Sequence, residues 1–86
     1  MEINQLILIV KTKIEKNILL ENIFTEDKTY LHKKHKGHQD GKFHLKLTIK
    51  SKELEKIQKI ESTKKIYKIL DEELKKYIHS IQILIN

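Results

Sequence analysis

The sequence predicts an α+β fold in the order αββααβ, and three observations carry that prediction. Strict alternation of apolar and polar residues runs from Phe43 to Ser51. Apolar residues at helical spacing lie on either side of it, and Ile78 to Ile85 reads as a further strand, with Ile81, Ile83 and Ile85 two apart. Period 2 marks a strand with one face on a core, and a recurrence at i, i+3, i+4 and i+7 marks an amphipathic helix. The expected product is a three-stranded mixed sheet with helices packed on one face.

The elements follow in order. Residues 2–17 place Ile3, Leu6, Ile7, Val10 and Ile14 on one helical face, with Glu2, Asn4, Lys11 and Lys13 opposite. Leu6 to Val10 alone could form a buried strand, but the wider spacing favours a helix. Ile23-Phe24-Thr25 is a short β-rich segment. Asp27 to Lys42 contains both glycines, Gly37 and Gly41, and reads as a loop. In the strand that follows, Phe43, Leu45, Leu47 and Ile49 face one way, and His44, Lys46, Thr48 and Lys50 the other. Ser51 offers an N-cap for a short helix carrying Leu54 and Ile57. Ser62 could cap a second helix, with Ile66, Ile69, Leu70 and Leu74 on its inner face. In the last strand His79, Ile81, Ile83 and Ile85 share a face, opposite Ser80 and Gln82. A strand-helix-helix-strand unit of this length joins two parallel strands by a right-handed crossover.

Length and composition bound the function. At 86 residues the chain is a single domain, 1–86, that buries roughly 60–65% of its unfolded surface. It has no cysteine, which excludes disulfides, a thiolate nucleophile and a Cys-ligated zinc site. The net charge is +6 and all 18 basic residues are lysine. In so Ile- and Lys-rich a chain that excess is weak support for nucleic-acid binding. The run Leu6 to Val10 is too short for a signal h-region, and nothing approaches the ~20 residues of a membrane span. The expectation is a cytoplasmic protein with no membrane partner. A weak homodimer stays open.

Histidines are the unusual side chains. His32, His35 and His38 recur every three residues in the loop, His44 lies on a strand's polar face, and His79 opens the last strand. Imidazole ligates several transition metals, so a metal site is one reading of the loop cluster, and a solvated polar loop is the plainer one. His79 shares its face with isoleucines, where its ring needs either a hydrogen bond or a ligand. Asp71-Glu72-Glu73 reads as a charged helix face. No nucleophile triad, P-loop or dinucleotide fingerprint is present, so no enzyme is expected.

Four pieces in order resemble the BolA family. They are Asp27-x-Thr29-x-x-His32, His44-Leu45-x-Leu47-x-Ile49-x-Ser51, Ile66-Tyr67-x-x-Leu70-x-Glu72-Glu73-Leu74, and Ile78-His79-Ser80-Ile81. The likeness is nearly gapless from Ile23 to Ile83. It implies a fold similar to the class II KH domain and a partnership with a monothiol glutaredoxin. In such a pair a [2Fe–2S] cluster is bridged between this chain, the glutaredoxin and glutathione. The role implied for His79 is that of a metal ligand from the last strand, and for His32 that of the second ligand, with His35 as a substitute. With no thiolate of its own, the isolated chain is expected to carry no cluster. The expected role is iron–sulfur trafficking or iron homeostasis.

Some BolA-like proteins bind DNA and regulate transcription. The alternative reading is therefore a DNA-binding regulator that sets Lys59, Lys64, Lys65 and Lys68 of a helix-turn-helix-like crossover against phosphates. The chain departs from the family where Ser62-Thr63-Lys64 replaces Arg-His-Arg, and where Leu54 and Lys56 replace Phe and Gly. Both departures weaken the DNA reading and leave the histidines untouched.

Overall fold

The computed structural model describes residues 1–29 and 42–86. Helix α1 (Ile3–Asn17) is followed by strands β1 (Asn22–Asp27) and β2 (Phe43–Lys50). Helices α2 (Lys52–Glu55), α3 (Lys59–Ile69) and α4 (Asp71–Lys76) then lead to strand β3 (Ile78–Ile85). Strand β2 is central, antiparallel to β1 and parallel to β3. The expected α+β fold and its mixed sheet are therefore present.

The helix α1 forms because its apolar residues recur each turn: Leu6, Val10 and Ile14 are fully buried. Glu2 caps it, its carboxylate accepting the Asn4 and Gln5 amides at 3.0 and 3.4 Å. These are donors that a helix leaves without intrahelical partners. The α1 face meets Leu45, Leu47 and Ile49 of β2, joined by Ile18, Leu54, Ile66, Leu70 and Ile78 in one core. The opposite sheet face carries Phe24, Lys46, Thr48, Gln82 and Leu84. There Phe24 and Leu84 remain 59% and 39% exposed, so the described helices leave that face open.

Ser51 caps α2 as its position suggests. Its hydroxyl accepts the Leu54 amide at 3.2 Å and donates to the Leu19 carbonyl at 2.7 Å, which ties the α1–β1 connection to the crossover. Ile57 instead lies beyond α2 and is exposed. Ser62 is not an N-cap. Helix α3 starts a turn earlier, at Lys59, so Ser62 is fully buried within it and donates to the Leu54 carbonyl at 3.2 Å. A small hydroxyl there lets α3 approach the end of α2 while satisfying a buried carbonyl. The helical run also divides at Leu70, whose φ of −98° and ψ of 16° separate α3 from α4.

The acidic triplet is not simply a charged face. Glu73 is 4% exposed, and both its carboxylate oxygens accept from Lys13 Nζ, at 2.8 and 2.7 Å. This pair fastens α1 to α4 beside the apolar core.

Candidate functional site

Among the described strands, the β2–β3 seam carries a departure from regular pairing. Phe43 stands opposite Ile78, yet His44 stands opposite Ser80, so the ladder skips His79. The extra residue is a β-bulge, a device that re-aims a side chain and is common on edge strands. Its consequence is visible on both sides. Ile78 is buried in the core, while Ile81, Ile83 and Ile85 return to the core face one residue out of phase with it. His79 does not share the isoleucine face, as simple alternation implies, but is exposed.

His44 departs from expectation in the opposite direction. It does lie on the face away from the core, but it is only 5% exposed rather than solvated. Its Nδ1 and Ser80 Oγ form a hydrogen bond of 2.6 Å. Its backbone amide donates to Thr29 Oγ1 at 3.2 Å, and its carbonyl accepts the Lys28 amide at 2.7 Å. Thr29 is fixed in turn by Asp27, whose Oδ1 accepts both the Thr29 amide, at 3.0 Å, and its hydroxyl. The rings of His44 and His79 meet edge to face, with centroids 4.9 Å apart and planes inclined at 60°. Beside them a cleft of about 350 Å³ opens on the sheet face that the described helices leave open, lined by Lys28, His44, Lys46, Ser80 and Gln82 among others.

His32, His35 and His38 lie outside the described residues. Among the described residues no group of three or more His, Asp or Glu side chains is arranged to hold a metal ion. What the seam presents is one accessible imidazole backed by a second that is buried. Sequence reasoning singled out His79 but set it on the isoleucine face, and it did not foresee the burial of His44, which bonds Thr29 and Ser80 beside two other strands. The signal available was Asp27-x-Thr29, a spacing suited to a side-chain-capped turn.

The lysines of the alternative reading all lie on α3 and are exposed. Lys64, Lys65 and Lys68 fall on one side of the helix and Lys59 on another, given 3.6 residues per turn. Lys65 is already engaged, its Nζ 2.7 Å from Glu53 Oε2. That hydrogen bond, seconded by the Leu19 amide, holds the Glu53 carboxyl below its ordinary range. Phosphate contacts by Lys65 would have to compete with it. No helix among the described residues is long and apolar enough to cross a membrane.

A small mixed sheet with helices on one face, and a bulged histidine at the start of an edge strand, place the chain among the α+β domains. The chain belongs to the BolA-like protein family, which it matches over residues 14–86. It is 29% identical over 75 residues to a Haemophilus influenzae protein described as DNA-binding transcriptional regulator BolA, covering 87% of this chain and 70% of that protein. The BolA domain of SufE1 from Arabidopsis thaliana superposes with a TM-score of 0.78 at 26% identity, covering 92% of this chain and 87% of that one. BolA1 from Arabidopsis thaliana gives a TM-score of 0.75 at 28% identity, covering 90% and 85%.

Proposed function

We propose that this chain is a non-enzymatic partner of a monothiol glutaredoxin, sharing with it and with glutathione a bridged [2Fe–2S] cluster in iron–sulfur trafficking or iron homeostasis. The observation that carries the reading is the exposed His79 imidazole at the β3 bulge, in a chain without a single cysteine. The donor set fits a shared site and not a self-contained one. Iron–sulfur clusters are held by thiolates, with imidazole nitrogen as the recognised substitute on one iron. His79 would supply one nitrogen, and His32 or His35, outside the described residues, the second. A cluster so ligated has a higher potential than an all-thiolate one, because neutral imidazole replaces negative sulfur. The rest is the work of this chain. The bulge turns the ring outward, and the sheet beneath it holds the donor at a fixed place on the surface.

Mixing the purified chain with a monothiol glutaredoxin, glutathione, iron and sulfide tests this. The expected result is a complex whose visible absorption and circular dichroism differ from those of the glutaredoxin cluster alone. The chain by itself should take up no stoichiometric iron and sulfide. A cluster assembled on the isolated chain, or a glutaredoxin spectrum unchanged by its addition, would contradict the shared site.

One observation favours a second reading, the DNA-binding name of the Haemophilus influenzae relative. On this chain the contacts would be those of Lys59, Lys64 and Lys68, with Lys65 partly neutralised by Glu53. Three or four lysine–phosphate contacts give a slope of log K against log salt of about −3 to −4, and no base preference. A fluorescence titration between about 50 and 200 mM salt should therefore show weak binding that falls by about two orders of magnitude. Tight, base-specific binding at the higher salt would reverse the order of the two readings.

A further inference from the structure

We propose that His44 is a positioning residue for His79: held by Ser80 and by the Asp27–Thr29 turn, its buried ring fixes the orientation of the exposed imidazole at the bulge. The inference deepens the function proposed above, since it concerns the same imidazole. Its first test, however, does not depend on any partner.

The argument begins with the bulge. A residue that the ladder skips is released from the regular register of its strand, so its side-chain direction is less constrained than that of its neighbours. An exposed histidine in that position would sample several χ1 wells. His79 instead rests against the His44 ring, at 4.9 Å between centroids. The edge-to-face geometry places the positive rim of one ring near the negative face of the other, a favoured arrangement for aromatic pairs.

That contact can orient His79 only if His44 is itself fixed, and it is fixed by three elements. Its side chain bonds Ser80 on β3, the residue directly after the bulge. Its main chain bonds the Lys28 amide and the Thr29 hydroxyl beyond the end of β1. Asp27 holds Thr29 through two hydrogen bonds to one carboxylate oxygen. The ring itself is held by Ser80, and the main chain that carries it by the turn beyond β1. His44 is ill placed to be a ligand itself, because it is 5% exposed and its Nδ1 is engaged by Ser80.

The benefit is one of population. If only one of about three χ1 wells presents the nitrogen outward, an unsupported ring binds with an apparent affinity roughly threefold lower than a fixed one. Support by neighbouring side chains is what keeps a surface donor in its productive geometry.

The test uses the full 86-residue chain and measures the three-bond couplings that report χ1 of His79 by nuclear magnetic resonance. In the unmodified chain the couplings should report one dominant rotamer. Ser80→Ala, at an exposed position, and His44→Ala should both shift them toward averaged values, with the amide fingerprint of β1 and α1 unchanged. If His44→Ala fails to fold, Ser80→Ala decides. Averaged couplings in the unmodified chain, or unaltered couplings in folded variants, would show that His44 does not orient the ring. A second arm titrates each chain with cluster-loaded monothiol glutaredoxin, where Ser80→Ala should weaken complex formation about threefold. Rotamer averaging without any His79-dependent complex would leave the positioning intact and reject the cluster reading, so the two failures are distinguishable.

Discussion

Lys13→Ala is expected to destabilise the fold by about 2–3 kcal/mol, a large share of the roughly 4–13 kcal/mol typical of a domain this size. The Glu73 side chain is 5% exposed, and its two oxygens share one ammonium across a separation of 60 residues. Removing one partner of a buried pair costs about 3–5 kcal/mol, because the remaining charge keeps its desolvation penalty without compensation. The lower figure applies here because the Lys13 side chain is 35% exposed and water can reach part of the gap. Glu72, 3.8 Å from the same ammonium, offers no replacement, being acidic itself. At about 4–8 °C per kcal/mol the melting temperature should fall by roughly 10–20 °C. Urea unfolding should show a lower midpoint with an unchanged slope. The double variant Lys13→Met/Glu73→Leu should recover most of the loss, since well-packed apolar groups replace buried pairs at little cost. A loss below about 0.5 kcal/mol for Lys13→Ala would class the pair with solvated surface bridges.

That pair also shows where reading from sequence stops. Within α1, β2 and the α3 core face, inner residues were legible because one period governs each: Leu6, Val10 and Ile14 every turn, Leu45, Leu47 and Ile49 every second residue. Periodicity speaks only of neighbours along the chain. Glu73 looks like its exposed neighbour Glu72 until α1 brings Lys13 to it. Ser62 resembles a helix start in composition, and only the packing of α3 on the Leu54 carbonyl places it inside the helix.

The orientation of His79 escaped the sequence for a related reason. Alternation over Ile78 to Ile85 predicts an inward His79 if every residue pairs, and a single skipped residue reverses that. No composition signal in Ile78-His79-Ser80 announces the bulge. Ile78 and Ile81, both on the core face but three apart, mark it once the structure is known. His44 was read correctly as facing away from the core. Its hydrogen-bond partners, Thr29 and Ser80, lie 15 and 36 residues away in the chain, beyond the reach of periodicity.

His79→Ala should abolish the mixed-ligand spectrum formed with a monothiol glutaredoxin, and the bulge makes that experiment a clean one. Were His79 on the isoleucine face, its loss would open a cavity, and a missing complex would say nothing about ligation. Since the side chain is exposed, the substitution should change stability by no more than about 0.5 kcal/mol. Ile78, 2% exposed, and the half-buried Ile81 keep β3 seated on the core from either side of the bulge. Far-ultraviolet circular dichroism and the urea midpoint should therefore match those of the unmodified chain. The visible spectrum should revert to that of glutaredoxin alone, because no thiolate in this chain can replace the lost nitrogen. Lys64→Ala provides the counterpart, removing one exposed charge from α3 far along the chain from the bulge, and should leave the spectrum unchanged while weakening DNA binding. A folded His79→Ala chain that still gives the wild-type spectrum would mean that the ligand lies elsewhere and that His79 is a surface residue supported by His44 for some other contact.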